Sequence, residues 1–230
     1  MASYDVALQR REEIAPGTFA FHFARPTGFA FKAGQAVSLA LREPPAAANS
    51  TRRTFSLVNA PFEPELVVAT RVREASAYKR ALTALPIGAT VKLTGPLGRM
   101  TLHEDGARAA VFVAGGIGIT PFMSMLRQAI HDRLRHRLFL LYANRRAENA
   151  AFLAELQALA RDDDNFRLHA TMTATDGRID EETIRNFAGD AAAPIYYLAG
   201  PPEFVTAVGE ALTRLSVPND AIQSEMFYGY

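Results

Sequence analysis

The chain has 230 residues, with 25 lysines and arginines against 24 aspartates and glutamates, so its formal net charge is +1. It contains no cysteine, which excludes disulfides, thiolate zinc sites, cysteine nucleophiles and cysteine-ligated iron–sulfur clusters. The balanced charge argues against nucleic acid or an anionic membrane as the main partner. With 49% hydrophobic residues the chain can form a packed core, as one large domain or two smaller ones.

The N-terminal segment lacks the basic residues and apolar stretch of a signal peptide, so we expect a cytoplasmic protein. Apolar runs such as residues 109–114 are far shorter than the roughly 20 residues that a membrane-spanning helix needs. We therefore expect no membrane span.

The first hundred residues read as short strands separated by turns. Runs rich in Val, Phe and Leu are interrupted by Gly and Pro at short intervals, which is typical of an antiparallel sandwich or barrel. These runs cover residues 6–8, 18–23, 36–39, 66–69 and 90–93. One helix is predicted from Ala77 to Leu85, ending before Pro86, and residues 44–50 are predicted to be an exposed loop.

The second half alternates strands with helices. Strands are predicted over residues 109–114, 138–142, 166–171, 195–199 and 221–227. Helices are predicted over residues 121–131, 152–159, 180–187 and 203–215. This alternation predicts a doubly wound parallel sheet. Because the pattern changes near residue 105, we expect two directly packed domains, residues 1–105 and 106–230.

A glycine-rich turn joins the first strand of the second half to its first helix. Residues 115–121 read Gly-Gly-Ile-Gly-Ile-Thr-Pro, and glycines such as Gly116 and Gly118 let a backbone approach a pyrophosphate. The helix N-terminus adds free N–H groups and a partial positive charge, with Thr120 predicted as N-cap and Pro121 as the first helical residue. Pro121 replaces the third glycine of the dinucleotide fingerprint. The turn alone therefore also fits a tight structural turn, but its place between strand and helix favours a nucleotide.

The end of the next strand bears on the choice of nucleotide. An acid there would accept a hydrogen bond from a ribose 2′-hydroxyl, whereas an arginine would accommodate a 2′-phosphate. The sequence has Asn144, Arg145 and Arg146 at this point, and no acid. The arginines favour NADP over NAD, and ordinary surface cations are the alternative.

Five segments, in order, resemble motifs of the ferredoxin–NADP reductase family. Residues 53–56, Arg-Thr-Phe-Ser, resemble its R-x-[YF]-[ST] flavin motif, and residues 92–98 resemble the end of its barrel domain. Residues 115–121 resemble its pyridine-nucleotide motif. Residues 199–202, Ala-Gly-Pro-Pro, resemble its C-G-P-P element with alanine in place of cysteine, and residues 225–227 resemble its acidic–x–aromatic segment. Together they cover nearly the whole chain.

The resemblance implies a six-stranded antiparallel Greek-key β-barrel that binds FAD, followed by a doubly wound parallel-sheet domain that binds NADP or NAD. Arg53 would clamp the flavin pyrophosphate, because a planar guanidinium matches phosphate oxygens. Phe55 would pack on the isoalloxazine, and Ser56 would hydrogen-bond near flavin N5. Thr54, in the same motif, would belong to the same site. Phe55 could otherwise be a plain core aromatic.

Further flavin contacts follow from the same resemblance. Val58 would lie along the flavin through its backbone. Ser76 would be a second flavin-phosphate ligand, and it also fits a plain N-cap for the helix that follows. The terminal Tyr230 would cover the flavin or contact its adenine side, although the motif spacing favours Phe227 as the stacking residue.

The nucleotide side follows in the same way. Gly116 and Gly118 would approach the pyrophosphate, while Thr120, Gly200 and Pro201 would line the nicotinamide pocket. No metal ligands are expected.

Two residues near the C-terminus carry the remaining catalytic expectations. Phe227 would occupy the nicotinamide pocket at rest and move aside. Glu225 would relay a proton or stabilise reduced flavin, and a solvent-exposed carboxylate is the alternative. Because Ala199 replaces the family's cysteine, the sequence predicts slower hydride transfer than in a thiol-bearing relative.

The activity implied is hydride transfer between NAD(P)H and bound FAD, with electrons passed to a separate acceptor such as ferredoxin or flavodoxin. Two alternatives stay open: an NAD(P)H:flavin reductase that uses flavin as substrate, and an FAD-binding electron-transfer subunit. We expect a monomer without a nucleic-acid partner.

Overall fold

The computed structural model describes residues 2–42, 51–189, 191 and 193–228. Both the loop predicted over residues 44–50 and Tyr230 lie outside the described residues. The first six strands are β1 (Ala2–Ala15), β2 (Thr18–Ala24), β3 (Ala36–Ala40), β4 (Arg52–Ser56), β5 (Glu65–Arg71) and β6 (Thr90–Leu97). They form one antiparallel sheet in the order β4-β3-β6-β1-β2-β5.

This sheet closes into a barrel. Leu57, just beyond β4, forms an antiparallel bridge with Val68 of β5, and the Val58 N–H donates to the Val67 carbonyl at 2.8 Å. Closure gives the two edge strands partners and encloses a core. The barrel core includes Val6, Leu8, Phe21, Phe23, Val37, Leu39, Val91 and Leu93. The predicted six-stranded antiparallel barrel is therefore confirmed.

Helix α1 (Ala77–Ala84) packs against the barrel and matches the helix predicted there. Its N-cap is Ser76, whose hydroxyl accepts a hydrogen bond from the Lys79 N–H at 3.3 Å. The fully buried Tyr78 donates its hydroxyl to the Leu39 carbonyl at 2.7 Å, which ties α1 to β3.

The second part of the chain is a parallel sheet covered by helices. Its strands are β7 (Ala110–Gly115), β8 (Leu138–Asn144), β9 (Phe166–Met172), β10 (Ile195–Gly200) and β11 (Ile222–Met226). Its helices are α2 (Thr120–His131), α3 (Leu153–Asp162), α4 (Glu181–Ala188) and α5 (Pro202–Arg214). Strands β7, β8 and β10 are buried along their whole length, because apolar side chains cover both faces of the sheet. The predicted doubly wound parallel sheet is confirmed.

The strand order β11-β10-β7-β8-β9 places a topological switch at β7. The chain runs from β7 to β8 and β9 on one side, and then returns to β10 on the other. In open α/β sheets, ligands bind at the carboxyl ends of the strands beside such a switch. The fold therefore directs attention to the turn after β7.

That turn differs from its prediction in one respect. Residues 116–119 form a 3₁₀ turn, and Thr120 is already helical with φ −56° and ψ −50°. Its hydroxyl donates to the Ile117 carbonyl at 3.1 Å instead of accepting from a helix N–H. The prediction of Thr120 as N-cap is therefore wrong, because the 3₁₀ turn supplies the backbone partners that a capping side chain would have replaced.

The segment between the two sheets is tied to the second sheet by hydrogen bonds. The His103 N–H donates to the Tyr197 hydroxyl on β10 at 2.9 Å, and His136 Nε2 lies 2.9 Å from the His103 carbonyl. Burial lowers the pKa of the His103 imidazole, which favours the neutral ring in this environment.

Candidate active site

Two clefts flank the turn after β7. The barrel-edge cleft, about 260 Å³, is lined by Arg53, Thr54, Phe55, Ser56, Ala69, Thr70, Lys79, Thr120, Glu225, Met226, Phe227 and Tyr228. The sheet-crest cleft, about 220 Å³, is lined by Pro16, Thr18, Arg71, Arg73, Gly115, Gly116, Ile117, Ala143, Asn144, Arg145, Asn149, Ala151, Thr173, Pro201 and Phe204. Both clefts combine residues of the barrel with residues of the parallel sheet.

Positive charge gathers at one side of the barrel-edge cleft. The Arg53 guanidinium lies over the Tyr78 ring, 5.5 Å from its centroid, and donates to the Arg52 carbonyl at 3.0 Å. Burial, together with the charges of Arg73 and Arg53, lowers the pKa of Lys79 to about 8. An anion bound here would relieve that repulsion, so this group of cations fits a pyrophosphate.

Strand β4 presents its side chains on alternating sides. Phe55 is 8% exposed and packs in the barrel core, with its ring 6.3 Å from that of Tyr78 in a stacked arrangement. Ser56, also buried, lines the same cleft as Glu225, and its hydroxyl lowers the pKa of that carboxyl group. The strand thus offers a cation and an aromatic ring on one side, and hydroxyl groups on the other.

Glu225 and Phe227 enter the same cleft from the chain's C-terminal end. Glu225 lies on β11 beside Ala199 of β10, and the Phe227 N–H donates to the Gly200 carbonyl at 2.8 Å. Burial raises the pKa of the Glu225 carboxyl, while the hydrogen bond from Ser56 lowers it. The structure therefore brings Ser56 and Glu225, which are far apart in the sequence, into the same cleft.

The sheet-crest cleft carries cations and no acid among its lining residues. Arg71 ends β5 of the barrel, Arg73 lies two residues beyond it, and Arg145 follows β8. Asn144 is 5% exposed, and its Nδ2 donor is buried without a hydrogen-bond partner among the described residues. The arrangement suits an anionic nucleotide.

The glycines in and beside the turn serve different structural purposes. Gly116 has φ +54°, and a Cβ there would meet nothing within 4 Å, so the turn leaves open space at this point. A Cβ on Gly118 would lie 2.1 Å from the Ala199 carbonyl oxygen, so Gly118 allows the turn to pack on β10. Gly200, with φ +155°, likewise lies against Gly115 and Phe204.

Several predicted site residues lie outside the two clefts. Ser76 caps α1, and the N–H of Val58 pairs with Val67 in closing the barrel. Gly118 and Gly200 lie behind the turn, and Ala199 is fully buried in the core. The first group of predicted residues, which the structure brings together at the barrel edge, is Arg53, Thr54, Phe55, Ser56, Thr120, Glu225 and Phe227. The second group, at the sheet crest, is Gly116, Asn144, Arg145 and Pro201.

Sequence reasoning missed Arg71, Arg73 and Lys79 as lining residues. One signal was available: Arg71 ends a largely apolar strand and Arg73 follows it, a few residues before Ser76 and the start of a helix. Tyr228, which is 76% exposed, also lines the barrel-edge cleft, next to Phe227.

Two features are absent from the part of the chain that the structure describes. No group of three or more His, Asp or Glu side chains there is arranged to hold a metal ion. None of the helices there combines the length and the apolar character needed to cross a membrane.

The chain is similar to known oxidoreductases over most of its length. A family model described as an oxidoreductase NAD-binding domain matches residues 112–210. Ferredoxin–NADP reductase B of Sorangium cellulosum is 30% identical over 240 residues, which cover 97% of each chain. NADH–cytochrome b5 reductase 1 of Aspergillus terreus is 29% identical over 228 residues, 90% of this chain and 76% of its own length.

Among solved structures, a ferredoxin NADP+ reductase from Neisseria gonorrhoeae with bound FAD and NADP matches the fold. Its TM-score is 0.80 at 20% identity, over 97% of this chain and 98% of the other. At 20% identity, this similarity shows that the two proteins share a fold.

The two glycines of the turn make a matched pair of variants. We expect Gly118→Ala to lower the free energy of unfolding by about 3 kcal/mol, because its methyl group would overlap the Ala199 carbonyl oxygen. We expect Gly116→Ala to lower it by about 1 kcal/mol, the strain of a left-handed backbone in open space. Urea denaturation of both variants measures the difference, and equal losses would contradict the packing reason for Gly118.

Proposed function

This chain belongs to the ferredoxin–NADP reductase family, and from that premise we propose that it transfers hydride between NAD(P)H and bound FAD and delivers the electrons to a separate acceptor. The observation that carries the proposal is that one turn, residues 115–120, borders both clefts: Thr120 on the barrel edge and Gly115, Gly116 and Ile117 on the sheet crest. A nucleotide and a flavin held in these clefts would meet at that turn.

The residues at the barrel edge suit FAD. When bound, FAD supplies the group that accepts a hydride from nicotinamide and releases electrons singly. Arg53 and Lys79 would bind its pyrophosphate. Ser76, the N-cap of α1 and three residues before Lys79, would be a second ligand for the same phosphates. Phe227 and Tyr228 would cover the cleft, and Thr54 would add a polar contact. We assign residues 1–105 to FAD and residues 106–230 to the nucleotide.

Ser56 and Glu225 supply a proton relay at the same edge. Because burial raises the pKa of Glu225, its carboxyl group keeps a proton at higher pH than an exposed glutamate does. The Ser56 hydroxyl donates to the charged form and so stabilises the carboxylate. The pair can therefore hold or release one proton beside the flavin site.

The sheet-crest cleft favours NADPH over NADH. Arg71, Arg73 and Arg145 line it without an acid to accept from a ribose 2′-hydroxyl. Asn144, which also lines the cleft, would contact the same ligand. Gly116 and Pro201 would let the pyrophosphate of the nucleotide lie close to the turn.

For the acceptor, we propose a ferredoxin or a flavodoxin, and we propose that the protein acts as a cytoplasmic monomer. A relative is named as a ferredoxin–NADP reductase, and that name supports the choice. Another relative is named as a cytochrome b5 reductase, so a haem protein is the second candidate acceptor.

The central test is an anaerobic titration of the purified protein with NADPH and with NADH, followed by visible absorbance. We expect a flavin spectrum that survives dialysis and is bleached by NADPH at lower concentration than by NADH. A protein that loses its flavin on dialysis would support the flavin reductase alternative. Retained flavin that neither nucleotide bleaches would support an electron-transfer subunit.

Replacement of Arg53 tests the flavin site. We expect Arg53→Ala to purify with little FAD, because the guanidinium that matches the pyrophosphate is lost. Arg42→Ala is the control, since Arg42 lies on the barrel surface and pairs with Asp5 at 3.1 Å. The ratio of flavin to protein absorbance measures occupancy. Full occupancy in Arg53→Ala would refute the assignment.

The pH profile of turnover tests Glu225. Oxidation of NADPH by an artificial one-electron acceptor releases one proton for every two electrons. We therefore expect turnover to fall as pH falls through the pKa of Glu225, because only the carboxylate form can accept that proton. Ser56→Ala should shift that fall to higher pH, since it removes the hydrogen bond that lowers the pKa. Glu225→Gln should flatten the profile. An unchanged profile in Glu225→Gln would exclude this residue as the proton acceptor.

A further inference from the structure

Helix α2 carries a line of polar side chains along a face that is otherwise apolar. Thr120, Ser124, Arg127 and His131 are spaced by four, three and four residues, so they lie on one face of the helix. Thr120 lines the barrel-edge cleft at the start of this line. The other three contact one short segment of the barrel, residues 58–63, which follows β4 directly.

Several contacts join α2 to the barrel, from the buried core to the surface. The fully buried Ser124 donates its hydroxyl to the Asn59 carbonyl at 2.7 Å. One turn further on, Arg127 Nη1 donates to the Val58 carbonyl at 3.4 Å. At the surface, the His131 ring lies 3.9 Å from the ring of Phe62, centroid to centroid.

Arg127 is the centre of this contact. Its Nε and Nη2 donate to the two carboxylate oxygens of Glu155 on α3, at 2.7 and 2.8 Å, and its Nη1 lies 3.5 Å from the Glu63 carboxylate. The Arg127 side chain is only 19% exposed, and its fork geometry fixes the orientation of the guanidinium. One side chain therefore joins α2, α3 and the barrel.

We propose that Ser124 and Arg127 are positioning residues that set the distance between the turn after β7 and strand β4. Neither lines either of the two clefts. They act through α2, which starts at Thr120, and through residues 58 and 59, which lie two and three residues beyond Ser56. The inference rests on the proposed function, because hydride transfer requires reacting atoms to lie within about 3–3.5 Å of each other.

The test compares Arg127→Met, Arg127→Lys and Ser124→Ala as flavin-loaded proteins. At saturating NADPH we expect the rate of flavin reduction, measured by stopped flow, to fall about 10-fold or more in Arg127→Met, since small misplacements of reacting groups are costly. FAD occupancy and KM should stay near those of the unmodified protein. Arg127→Lys should recover part of the rate, because an ammonium keeps the charge but loses the fork.

A second measurement does not depend on catalysis. Hydrogen–deuterium exchange of peptides covering residues 57–63 should quicken in Arg127→Met and Ser124→Ala, since both remove bonds to this segment. Arg214→Met is the matched control, because Arg214 pairs with Glu181 between α5 and α4, away from the barrel. It should change neither the reduction rate nor the exchange of residues 57–63.

The outcomes separate the two proposals. If Arg127→Met fails to fold, Ser124→Ala decides, with a slowed reduction and faster exchange expected. Unmodified rate and exchange in these variants, or equal slowing in Arg214→Met, would overturn the positioning role. If NADPH fails to reduce the flavin of the unmodified protein, the proposed function fails, while the exchange data still test the contact between α2 and residues 58–63.

Discussion

The active site depends on one close contact, between the turn after β7 and the end of β10. A Cβ atom at Gly118 would lie 2.1 Å from the Ala199 carbonyl oxygen, so only glycine allows the turn to pack this closely on β10. That contact fixes the start of α2 and holds Gly116 open toward the sheet-crest cleft. It also brings Thr120 to the barrel edge, near Glu225 on the strand that pairs with β10.

Barrel closure provides the other half of this geometry. The bridge between Leu57 and Val68 turns the chain after β4 beneath α2, where residues 58 and 59 expose carbonyl groups to that helix. The same chain segment thus ends the strand that carries Ser56 and begins the contact with Ser124. A shift of α2 would therefore move the turn after β7 relative to strand β4, because the two are joined through a few hydrogen bonds.

The sequence predicts the fold well, because alternation of strands and helices is a local pattern, and Ser76 is recognisable as a cap from its neighbours. It predicts the contents of the barrel-edge cleft only through the order of motifs, since Ser56 and Glu225 have no local relationship. Arg71, Arg73 and Lys79 escape such reasoning, because the tertiary packing of the barrel and of helix α1 brings them to the clefts. Thr120 misleads for a different reason: a serine or threonine before a helix looks like a cap, and only the backbone reveals the 3₁₀ turn before it.

The two clefts differ in the charges that line them. At the sheet crest, three arginines line a cleft that has no carboxylate among its lining residues, so the cleft favours an anionic ligand. At the barrel edge, cations gather at one end and a carboxyl group with a raised pKa at the other. A ligand that fits both ends must be anionic at one and able to exchange a proton at the other. FAD has this distribution of chemistry, with its pyrophosphate remote from its redox-active ring.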